Sequence, residues 1–454
     1  MPISPVFTIS ALAVILIFCL IGVASSGRVK SAADYAVAGR TAGPLAVTGV
    51  IVGALVAGGS TIGTVQMAYE WGLSAWWFTL GSGIGCAVLG LWFAGPVRRS
   101  GLSTLPEFME KNFGFPTALV TMIGSILGTL LSVVSQFMAG KALIRALFPV
   151  SQEAAALILS LLILAFIFTG GLKSYSAIGN AKGVLLYTLL AVCCFKASTM
   201  GQTVGTLLHD LPFEPWFNPF GRGVGSGLGA CFSLLIGILC TQIYMQAVFA
   251  ASDERSARKG CILAGILIPP LGLMGIWVGL AMRNAGIEVE AAQALPHFLN
   301  AYFHPAIAGI FWAGLAITVV GGASGLCLGV ATNLSLDIYP RLSGRSKDDP
   351  RLLSISRFAV VLTVTAAATL ALLAHSTYIL HFSYIGMGLR GAGMAVPFVI
   401  AILRPGSLTK KAAFASALAG LTGMLLAWAF LPQFEPLFVG MGFSIAAVII
   451  CKIR

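Results

Sequence analysis

The sequence predicts an all-α polytopic membrane protein, and its composition carries that prediction. Of 454 residues, 58% are hydrophobic and 9% are charged, and the mean hydropathy is +0.95. Soluble domains carry about 25% charged residues. These values exclude a soluble enzyme, a disordered chain and a small disulfide-stapled module. The 54 glycines indicate close helix packing, because glycine lets helix backbones approach one another in a membrane.

About thirteen segments are long and apolar enough to be transmembrane helices, since a helix needs about 20 apolar residues to cross the hydrocarbon core. The first lacks the basic start of a signal peptide and is interpreted as a helix. The segments are 6–25, 44–69, 72–95, 116–141, 153–170, 178–199, 224–250, 261–282, 304–333, 355–374, 377–403, 412–430 and 434–451. The longest loops between them are 196–223, 283–303 and 334–354.

The lysines and arginines indicate how these helices are oriented. With the N-terminus outside, twenty of the 27 basic residues fall in inside loops, four in outside loops and three within spans. An excess of basic residues in cytoplasmic loops is the usual signature of orientation. The N-terminus is therefore predicted outside and the C-terminus inside, in a bacterial-type plasma (inner) membrane. The same distribution accounts for the net charge of +12 without a nucleic-acid partner.

The second segment contains a stretch that is a poor helix at mid-membrane depth. Residues 56–64 include three glycines and three hydroxyl side chains. Peptide groups freed by a break are tolerated at that depth only where they line a cavity or bind something. The stretch therefore predicts a broken helix, and a glycine-rich packing face is the alternative explanation.

A weaker break is expected at 233–238 in the seventh segment, five spans later. An offset of five spans inverts the second copy in the membrane. Inverted repeats with a broken first helix are typical of transporters that bind their solute at the midplane. The ninth segment holds a further glycine cluster at 318–325, which a close helix crossing explains as well as an ion site does.

The ionisable residues inside the spans are all cations. Every aspartate and glutamate falls in a loop or at a membrane edge, which disfavours a carboxylate proton relay and a membrane-embedded hydrolase. Lys196 lies near the outer end of its span and Lys182 about one turn from the inner end, where lysines can reach the interface. Arg390 lies at mid-depth, so we expect backbone carbonyls or a bound anion to hold it. The nine cysteines show no metal-ligand spacing.

Five short stretches next to the predicted helices form an ordered series. They are residues 34–40, 104–108 with 113–114, 169–173, 246–254 and 336–339. In their order and in their side of the membrane, they resemble the sodium/solute symporter family, which transports sugars, proline, sialic acid, pantothenate and small carboxylates. The resemblance implies the leucine-transporter fold, with two inverted five-helix repeats. The implied units are an extra helix and loop at 1–43, repeats at 44–199 and 200–403, and two C-terminal helices at 404–454.

The resemblance also implies a sodium site. In the family, backbone carbonyls of core helix 1 and a hydroxyl pair on core helix 8 hold the ion. The carbonyls fall on Gly53 and Val56, with a core helix 8 carbonyl at Thr318. The hydroxyl pair, however, falls on Gly321 and Gly322. A hard cation is bound by a shell of oxygens, so the resemblance implies a degenerate and weakened site unless water or Ser324 replaces the missing ligands.

Lys182, on core helix 5, offers an alternative to the ion. In some relatives of this fold outside the family, a lysine on this helix occupies the sodium position. The hypothesis is that the ammonium replaces sodium, and that burial helps the lysine to release its proton. Transport would then be proton-coupled or uncoupled. The alternative is that Lys182 reaches the interface and a sodium site survives in altered form.

In this fold the solute binds between core helices 1, 2, 3, 6, 7, 8 and 10, and polar side chains on them are candidate ligands. Each could equally be an interhelical hydrogen-bonding group. The candidates are Ser60, Thr61, Gln66, Trp76, Ser135, Gln136, Gln242, Tyr244 and Arg390, with Trp77 and Ser132 beside them. Arg390 favours a small carboxylate, because a guanidinium fork binds a carboxylate through two parallel bonds.

The predicted function is secondary transport of a small polar solute by alternating access, with sodium or a proton as coupling ion and no bound cofactor. The solute is expected to carry a carboxylate. A closed midplane site disfavours a channel, a membrane sensor would need a separate partner protein, and a membrane enzyme would need a cluster of ionisable residues at depth. The identity of the solute, the stoichiometry and the oligomeric state are left open by the sequence.

Overall fold

The computed structural model describes residues 4–25, 38–168, 172–344, 349, 351–374 and 378–451. These residues form helices and no β-strand; a parallel bridge pairs Ala42 with Ala251. The all-α fold is therefore confirmed. The motif residues 34–37 and 169–171 lie outside the described residues. So do the predicted inside cations Arg28, Lys30, Arg345, Lys347, Lys452 and Arg454.

Helices follow one another with short connections along the described chain. Those that begin before residue 200 are α1 (Pro5–Ser25), α2 (Pro44–Leu55), α3 (Thr64–Trp71), α4 (Trp76–Val88), α5 (Ala94–Arg99), α6 (Leu105–Phe113), α7 (Phe115–Arg145), α8 (Gln152–Phe168) and α9 (Leu172–Thr199). Those that follow are α10 (Val204–Asp210), α11 (Phe213–Trp216), α12 (Val224–Leu239), α13 (Gln242–Ala250), α14 (Glu254–Asn284), α15 (Ala294–Tyr302), α16 (Pro305–Thr332), α17 (Tyr339–Ser343), α18 (Arg351–Leu373), α19 (Ile379–Leu403), α20 (Lys410–Phe430) and α21 (Pro436–Ile450). π-helical turns lie at Gly59–Gly63, Leu89–Phe93 and Asn333–Ile338.

The lengths of the helices confirm a polytopic membrane protein. Within the described residues, nine helical stretches are long and apolar enough to cross a membrane, and the bent pair α12–α13 makes a tenth. Helices α2, α8 and α21 are apolar but shorter. The count of thirteen crossings stays a prediction, as do the repeat boundaries. Helix α1 begins at one end of the bundle, called the Pro5 face below, and ends at the other, the Ser25 face.

The segments predicted as long loops contain short helices. Helices α10 and α11 lie within 196–223, α15 within 283–303 and α17 within 334–354, so the predicted connections between the spans are partly helical. These helices are too short to be recognised as spans, and local caps start some of them. At the start of α10, for example, the Thr206 N–H donates to Thr203 Oγ1 at 3.2 Å.

Helix α9 begins at Leu172 rather than at the predicted residue 178. Its first turn is polar because it contacts a neighbouring helix: Ser174 Oγ donates to the Gly22 carbonyl of α1 at 2.8 Å. Polar side chains that bond to protein are compatible with a helix interior, and hydropathy alone does not reveal this. Lys182 therefore lies well inside α9, and its predicted position one turn from the helix end was wrong.

Helices α2 and α9 approach each other through glycine. A Cβ atom on Gly179 would lie 1.9 Å from the Gly49 carbonyl oxygen, and one on Gly49 would lie 2.3 Å from the Ser176 carbonyl oxygen. Neither backbone oxygen can move aside as the end of a flexible side chain would. The small residues therefore bring the helix that carries Lys182 against α2.

We expect Gly179→Ala to destabilise the protein by about 1–3 kcal/mol, because the added methyl group overpacks the contact between α2 and α9. The measurement is the thermal unfolding midpoint of the purified protein in detergent. Gly183→Ala, one turn further along α9, is the matched control, since its Cβ would lie at an ordinary 3.5 Å from Val52 Cγ1. Equal midpoints for the two variants would contradict this packing.

Candidate functional site

The helix that was predicted to break does break. Helix α2 ends at Leu55, Val56 leaves the helix with φ −81° and ψ 83°, and a π-helical turn leads into α3 at Thr64. Residues 56–64 are all buried, so the freed peptide groups face protein and not lipid. Helices α2 and α3 together take the place of core helix 1.

Side chains close to the break bond to its free peptide groups. The Ala57 N–H donates to Ser60 Oγ at 2.8 Å, and Thr61 Oγ1 donates to the Ala57 carbonyl at 2.9 Å. From α7, Gln136 Oε1 accepts the Gly58 N–H at 2.8 Å. Ser60, Thr61 and Gln136, which were predicted as solute ligands, therefore stabilise the break itself.

Lys182 extends from α9 to the last turn of α2. Its Nζ donates to the Gly53 carbonyl at 2.5 Å, and the residue is 1% exposed. A Cβ atom on Gly321 of α16 would lie 3.6 Å from this nitrogen and within 4 Å of nothing else. The ammonium therefore lies between α2, α9 and α16, where the family resemblance places the sodium ion.

The residues at this position do not fit a sodium ion beside a charged lysine. The ammonium binds the Gly53 carbonyl, one of the predicted ligands, and at an effective dielectric constant of about 20 it repels a second cation 4 Å away by about 4 kcal/mol. Thr318 Oγ1 donates to the Gly314 carbonyl at 2.7 Å. The Thr318 hydroxyl keeps its oxygen lone pairs, but the positions of the family's hydroxyl pair, Gly321 and Gly322, have no side chain.

The glycine cluster of α16 serves two purposes. A Cβ atom on Gly322 would lie 2.3 Å from the Ala57 Cβ, and one on Gly325 would lie 2.1 Å from the Tyr175 hydroxyl. These two glycines let α16 cross the broken helix and α9 closely. Gly321 instead leaves space for the ammonium of Lys182. A close helix crossing therefore explains Gly322 and Gly325, and an ion site at this cluster stays a prediction.

A second break separates α12 from α13, with a bend of 43°. It lies at Cys240 and Thr241, and the predicted position at 233–238 was wrong because those residues are helical. Thr241 is extended, with φ −104° and ψ 123°, and its Oγ1 donates to the Gly237 carbonyl at 2.6 Å. The Thr241 hydroxyl thus provides a hydrogen-bond donor for a carbonyl in the last turn of α12, where the regular hydrogen bonds of the helix end.

Arg390, on α19, joins this second break to α7. The residue is 0% exposed, and its Nη1 donates to Thr241 Oγ1 at 2.7 Å. Its Nε donates to the Gly386 carbonyl at 3.0 Å. Its Nη2 donates to the Gly128 carbonyl at 3.2 Å and to Ser132 Oγ. The partners are neutral, as expected for a mid-depth arginine, and they occupy all but one of the five guanidinium N–H groups.

The other predicted solute ligands also contact neighbouring parts of the chain. The hydrogen-bonded pairs are Gln66 with Ile379 at 3.1 Å, Trp76 with Pro269 at 3.1 Å, Ser135 with Ser383 at 2.8 Å and Gln242 with Leu105 at 2.9 Å. Tyr244 is 1% exposed. These contacts explain the polar residues through helix packing, and a role in binding solute stays a prediction.

Thr241 and Ser383 belong to this network, and Tyr175 lies against Gly53 and Gly325; all three were missed in the sequence. Thr241 bonds to Arg390, and Ser383 Oγ donates to Ser135. The Tyr175 hydroxyl is buried and has no hydrogen-bond partner within the described chain. All three are polar groups in otherwise apolar segments, which is the signal that singled out the other candidates.

We expect Arg390→Ala to lower the thermal unfolding midpoint, with a loss of stability of about 2–5 kcal/mol, because it removes a buried side chain and several of its hydrogen bonds. Arg390→Lys keeps the charge but reaches fewer partners, so its midpoint should lie in between. Arg404→Ala, at the exposed end of the same helix, is the control. A midpoint unchanged in Arg390→Ala would show that this arginine does not hold the helices together.

Two broken membrane helices whose breaks are buried inside the bundle define a secondary transporter. The chain belongs to the sodium:solute symporter family, whose model matches residues 35–420. This membership confirms the resemblance seen in the sequence. The family and the relatives below are transporters, not enzymes.

Relatives cover most of the chain at low identity. The chain is 25% identical to the high-affinity proline transporter PutP of Bacillus subtilis strain 168, over 90% of this chain and 89% of that protein. It is 23% identical to the sodium/glucose cotransporter of Vibrio parahaemolyticus, over 90% of this chain and 81% of that protein. The fold matches that of a Na⁺-coupled sialic acid symporter in its substrate-bound outward-open state, with a TM-score of 0.83 and 16% identity over 99% of this chain and 98% of the other.

Proposed function

We propose that this chain is a secondary transporter that moves a small carboxylate-bearing solute by alternating access and does not use sodium. The observation that carries the proposal is the 2.5 Å contact between Lys182 Nζ and the Gly53 carbonyl. A cation fixed to the protein occupies the place of the ion, so sodium has no role there while Lys182 is charged. Family membership supports transport as the activity.

Side-chain hydrogen bonds link neighbouring elements at both ends of the bundle, and contacts of this size are compatible with alternating access. At the Pro5 face, Tyr69 Oη donates to the Ile287 carbonyl at 2.6 Å. At the Ser25 face, Arg98 Nε donates to the Ala251 carbonyl at 2.6 Å. A single hydrogen bond contributes about 0.5–1.5 kcal/mol. We expect each of these two contacts to break at low cost when the end that contains it opens.

A cavity of about 340 Å³ opens at the Ser25 face and reaches Asn180, two residues before Lys182 on α9. It lies between α2, α9 and α13, and Ser176 and Asn180, on the helix of Lys182, line it. Because Lys182 itself is buried and does not line the cavity, we expect water to reach its amine and accept the proton only when α2 and α9 move slightly apart. A neutral amine binds the Gly53 carbonyl more weakly than an ammonium does. We therefore expect proton release from Lys182 to loosen the contact between α2 and α9.

Uptake into proteoliposomes tests the role of Lys182. When N-methyl-D-glucamine replaces sodium, we expect wild-type uptake to persist and to vary with pH. Lys182→Ala should abolish the pH dependence and lower uptake by about tenfold or more, because a charge-assisted bond is lost. Lys196→Ala, near the other end of α9, is the control and should behave as the wild type. Uptake that needs sodium but is unaffected by Lys182→Ala would overturn the proposal.

A double variant separates loss of the ammonium from loss of folding. Lys182→Ala with Gly321→Ser removes the cation and restores one hydroxyl, and the serine fits because a Cβ at that position meets only the lysine nitrogen. The double variant should transport in a sodium-dependent manner that the wild type lacks. A folded double variant that remains indifferent to sodium would count against the position assigned to the ammonium.

The charge of the interior favours an anionic solute. Lys182 and Arg390 are buried cations, and no aspartate or glutamate is buried among the described residues. Positive charges in a low-dielectric interior attract an anion. Most N–H groups of Arg390 already bond to neighbouring helices. We therefore expect the carboxylate of the solute to bond to the one remaining guanidinium N–H and to nearby hydroxyl groups, and not to two parallel N–H groups of Arg390.

Pairs of carboxylates and their amides test this preference. We expect propionate and lactate to be taken up about tenfold or more faster than propionamide and lactamide, because only the acids gain charge-assisted bonds. Arg390→Lys should lower acid uptake and leave amide uptake unchanged. Amides carried as well as acids, or acid uptake unchanged in Arg390→Lys, would contradict a carboxylate substrate.

We propose that the Pro5 face lies outside a bacterial-type plasma membrane and that the C-terminus lies inside. The support is the basic character of the Ser25 face, where the end of α5 and the start of α14 lie. The cations at these two helix ends are Arg98, Arg99, Arg255, Arg258 and Lys259. Cytoplasmic loops carry such an excess of basic residues.

A further inference from the structure

A second cavity, of about 730 Å³, opens at the Pro5 face. Helices α12, α19, α20 and α21 form its walls, away from Lys182 and the break of α2. It reaches Ser233 on α12 and Ile385 on α19, which are 5% and 6% exposed. The proposed transport mechanism makes no use of this space.

One carboxylate and one guanidinium line this cavity without forming an ion pair with each other. Glu435 lies just before α21 and Arg222 lies just before α12, and both are half-buried. Arg222 Nη1 contacts Met67 Sδ at 3.5 Å, and the guanidinium carbon lies 5.9 Å from the centre of the Tyr378 ring. The cavity thus presents separate positive and negative groups to a ligand.

Gly229, on α12, has no side chain and so leaves room for the carboxylate of Glu435. A Cβ atom on Gly229 of α12 would lie 2.7 Å from Glu435 Oε2, so the carboxylate rests against the helix backbone. Ser226, also on α12, lines the same cavity as Glu435. One turn earlier, a Cβ on Gly225 would lie 4.0 Å from Glu435 Cγ, which is ordinary contact.

The cavity also contains a hydroxyl without a partner and an aromatic ring. The Tyr384 hydroxyl oxygen is buried and makes no hydrogen bond within the described part of the chain. Tyr384 lines the same cavity as Arg222 and Glu435. Buried hydroxyls usually have a partner, so a ligand is the natural partner here. Trp428 adds a ring that can stack on a cation.

We infer that this cavity is a second binding site and that it takes a zwitterion, whose cationic nitrogen binds Glu435 and Trp428 and whose anionic group binds Arg222 and the Tyr384 hydroxyl. A ligand that carries only a carboxylate would be repelled by the carboxylate of Glu435. A ligand that carries only a cationic group would be repelled by the guanidinium of Arg222. The inference rests on the proposed function and deepens it, because it predicts which carboxylate-bearing solutes this cavity binds: those that also carry a cationic nitrogen. A zwitterionic lipid headgroup shares this chemistry, with phosphate in place of carboxylate.

The protonation of Glu435 gives the site a pH signature. Burial raises the pKa of Glu435 above its ordinary value of 4.5, although the Ser226 hydrogen bond and the charge of Arg222 oppose the shift. Among the described lining residues, Arg222, His381 and Tyr384 are the other titratable groups that face the cavity. As pH falls, the carboxylate is lost at a higher pH than in an exposed glutamate, and zwitterion binding should weaken with it.

Calorimetric titration of the purified full-length protein, in nanodiscs of phosphatidylglycerol, tests the inference. The probes are L-proline and glycine betaine as zwitterions, propionate as a carboxylate and tetramethylammonium as a cation. We expect Glu435→Gln and Arg222→Gln each to weaken zwitterion binding about tenfold or more, because each removes charge-assisted bonds. Propionate binding should not change. Glu288→Gln, exposed on a loop of the same face, is the control.

Two glycine variants keep the test valid if a charge variant fails to fold. Gly229→Ala should weaken zwitterion binding, because its methyl group displaces the carboxylate, whereas Gly225→Ala should bind as the wild type does. Lys182→Ala should also retain binding, so a failure of the proposed coupling mechanism remains distinguishable from a failure of this site. Equal binding by the two glycine variants would count against the site.

Lipid composition distinguishes the two sources of zwitterion. If the natural ligand is a free solute, adding phosphatidylethanolamine to the nanodiscs leaves L-proline affinity unchanged. If it is a lipid headgroup, phosphatidylethanolamine competes with L-proline and co-purifies with the wild type but not with Glu435→Gln. The inference is overturned if neither the soluble zwitterions nor the lipid responds to Glu435→Gln and Arg222→Gln.

Discussion

The architecture depends on finding partners for the peptide groups released where α2 stops. In a membrane interior no water is available to bond them, so the protein must supply every partner. Lys182, on α9, donates a hydrogen bond to the Gly53 carbonyl, and Gln136, on α7, accepts one from the Gly58 N–H. Because these partners belong to other helices, the break can keep its shape only while α2, α7 and α9 stay together.

Buried cations held by neutral groups are the second consequence of this arrangement. Arg390 and Lys182 have no buried carboxylate among the described residues, and they bond to carbonyls and hydroxyls. Burying an unpaired charge is expensive, so such residues persist where they join helices or meet an anion. The cavity at the Pro5 face differs in kind, since it presents Glu435 together with Arg222. The interior therefore offers positive charge alone, and the surface cavity offers both signs.

The errors of the sequence reading have one physical origin. Residues 233–238 were predicted to break because they include a serine and a glycine, yet they are helical. The chain breaks instead at Thr241, whose hydroxyl accepts a hydrogen bond from Arg390 and donates one to the Gly237 carbonyl. The start of α9 looks polar, yet those side chains bond to α1 and α2. In each case a partner distant in sequence decided whether a polar residue ends a helix or packs inside it.

The sequence by itself determined the membrane class, the family, the break at 56–64 and the missing hydroxyls at Gly321 and Gly322. These follow from composition and local pattern, which a chain carries regardless of its partners. Only the tertiary structure decided that the Lys182 ammonium binds Gly53, that Ser60 and Thr61 bond to their own broken helix, and that a carboxylate and a guanidinium share one cavity. Hydrogen bonds and charges act over a few ångströms, so their partners are set by how the helices pack and not by spacing along the chain.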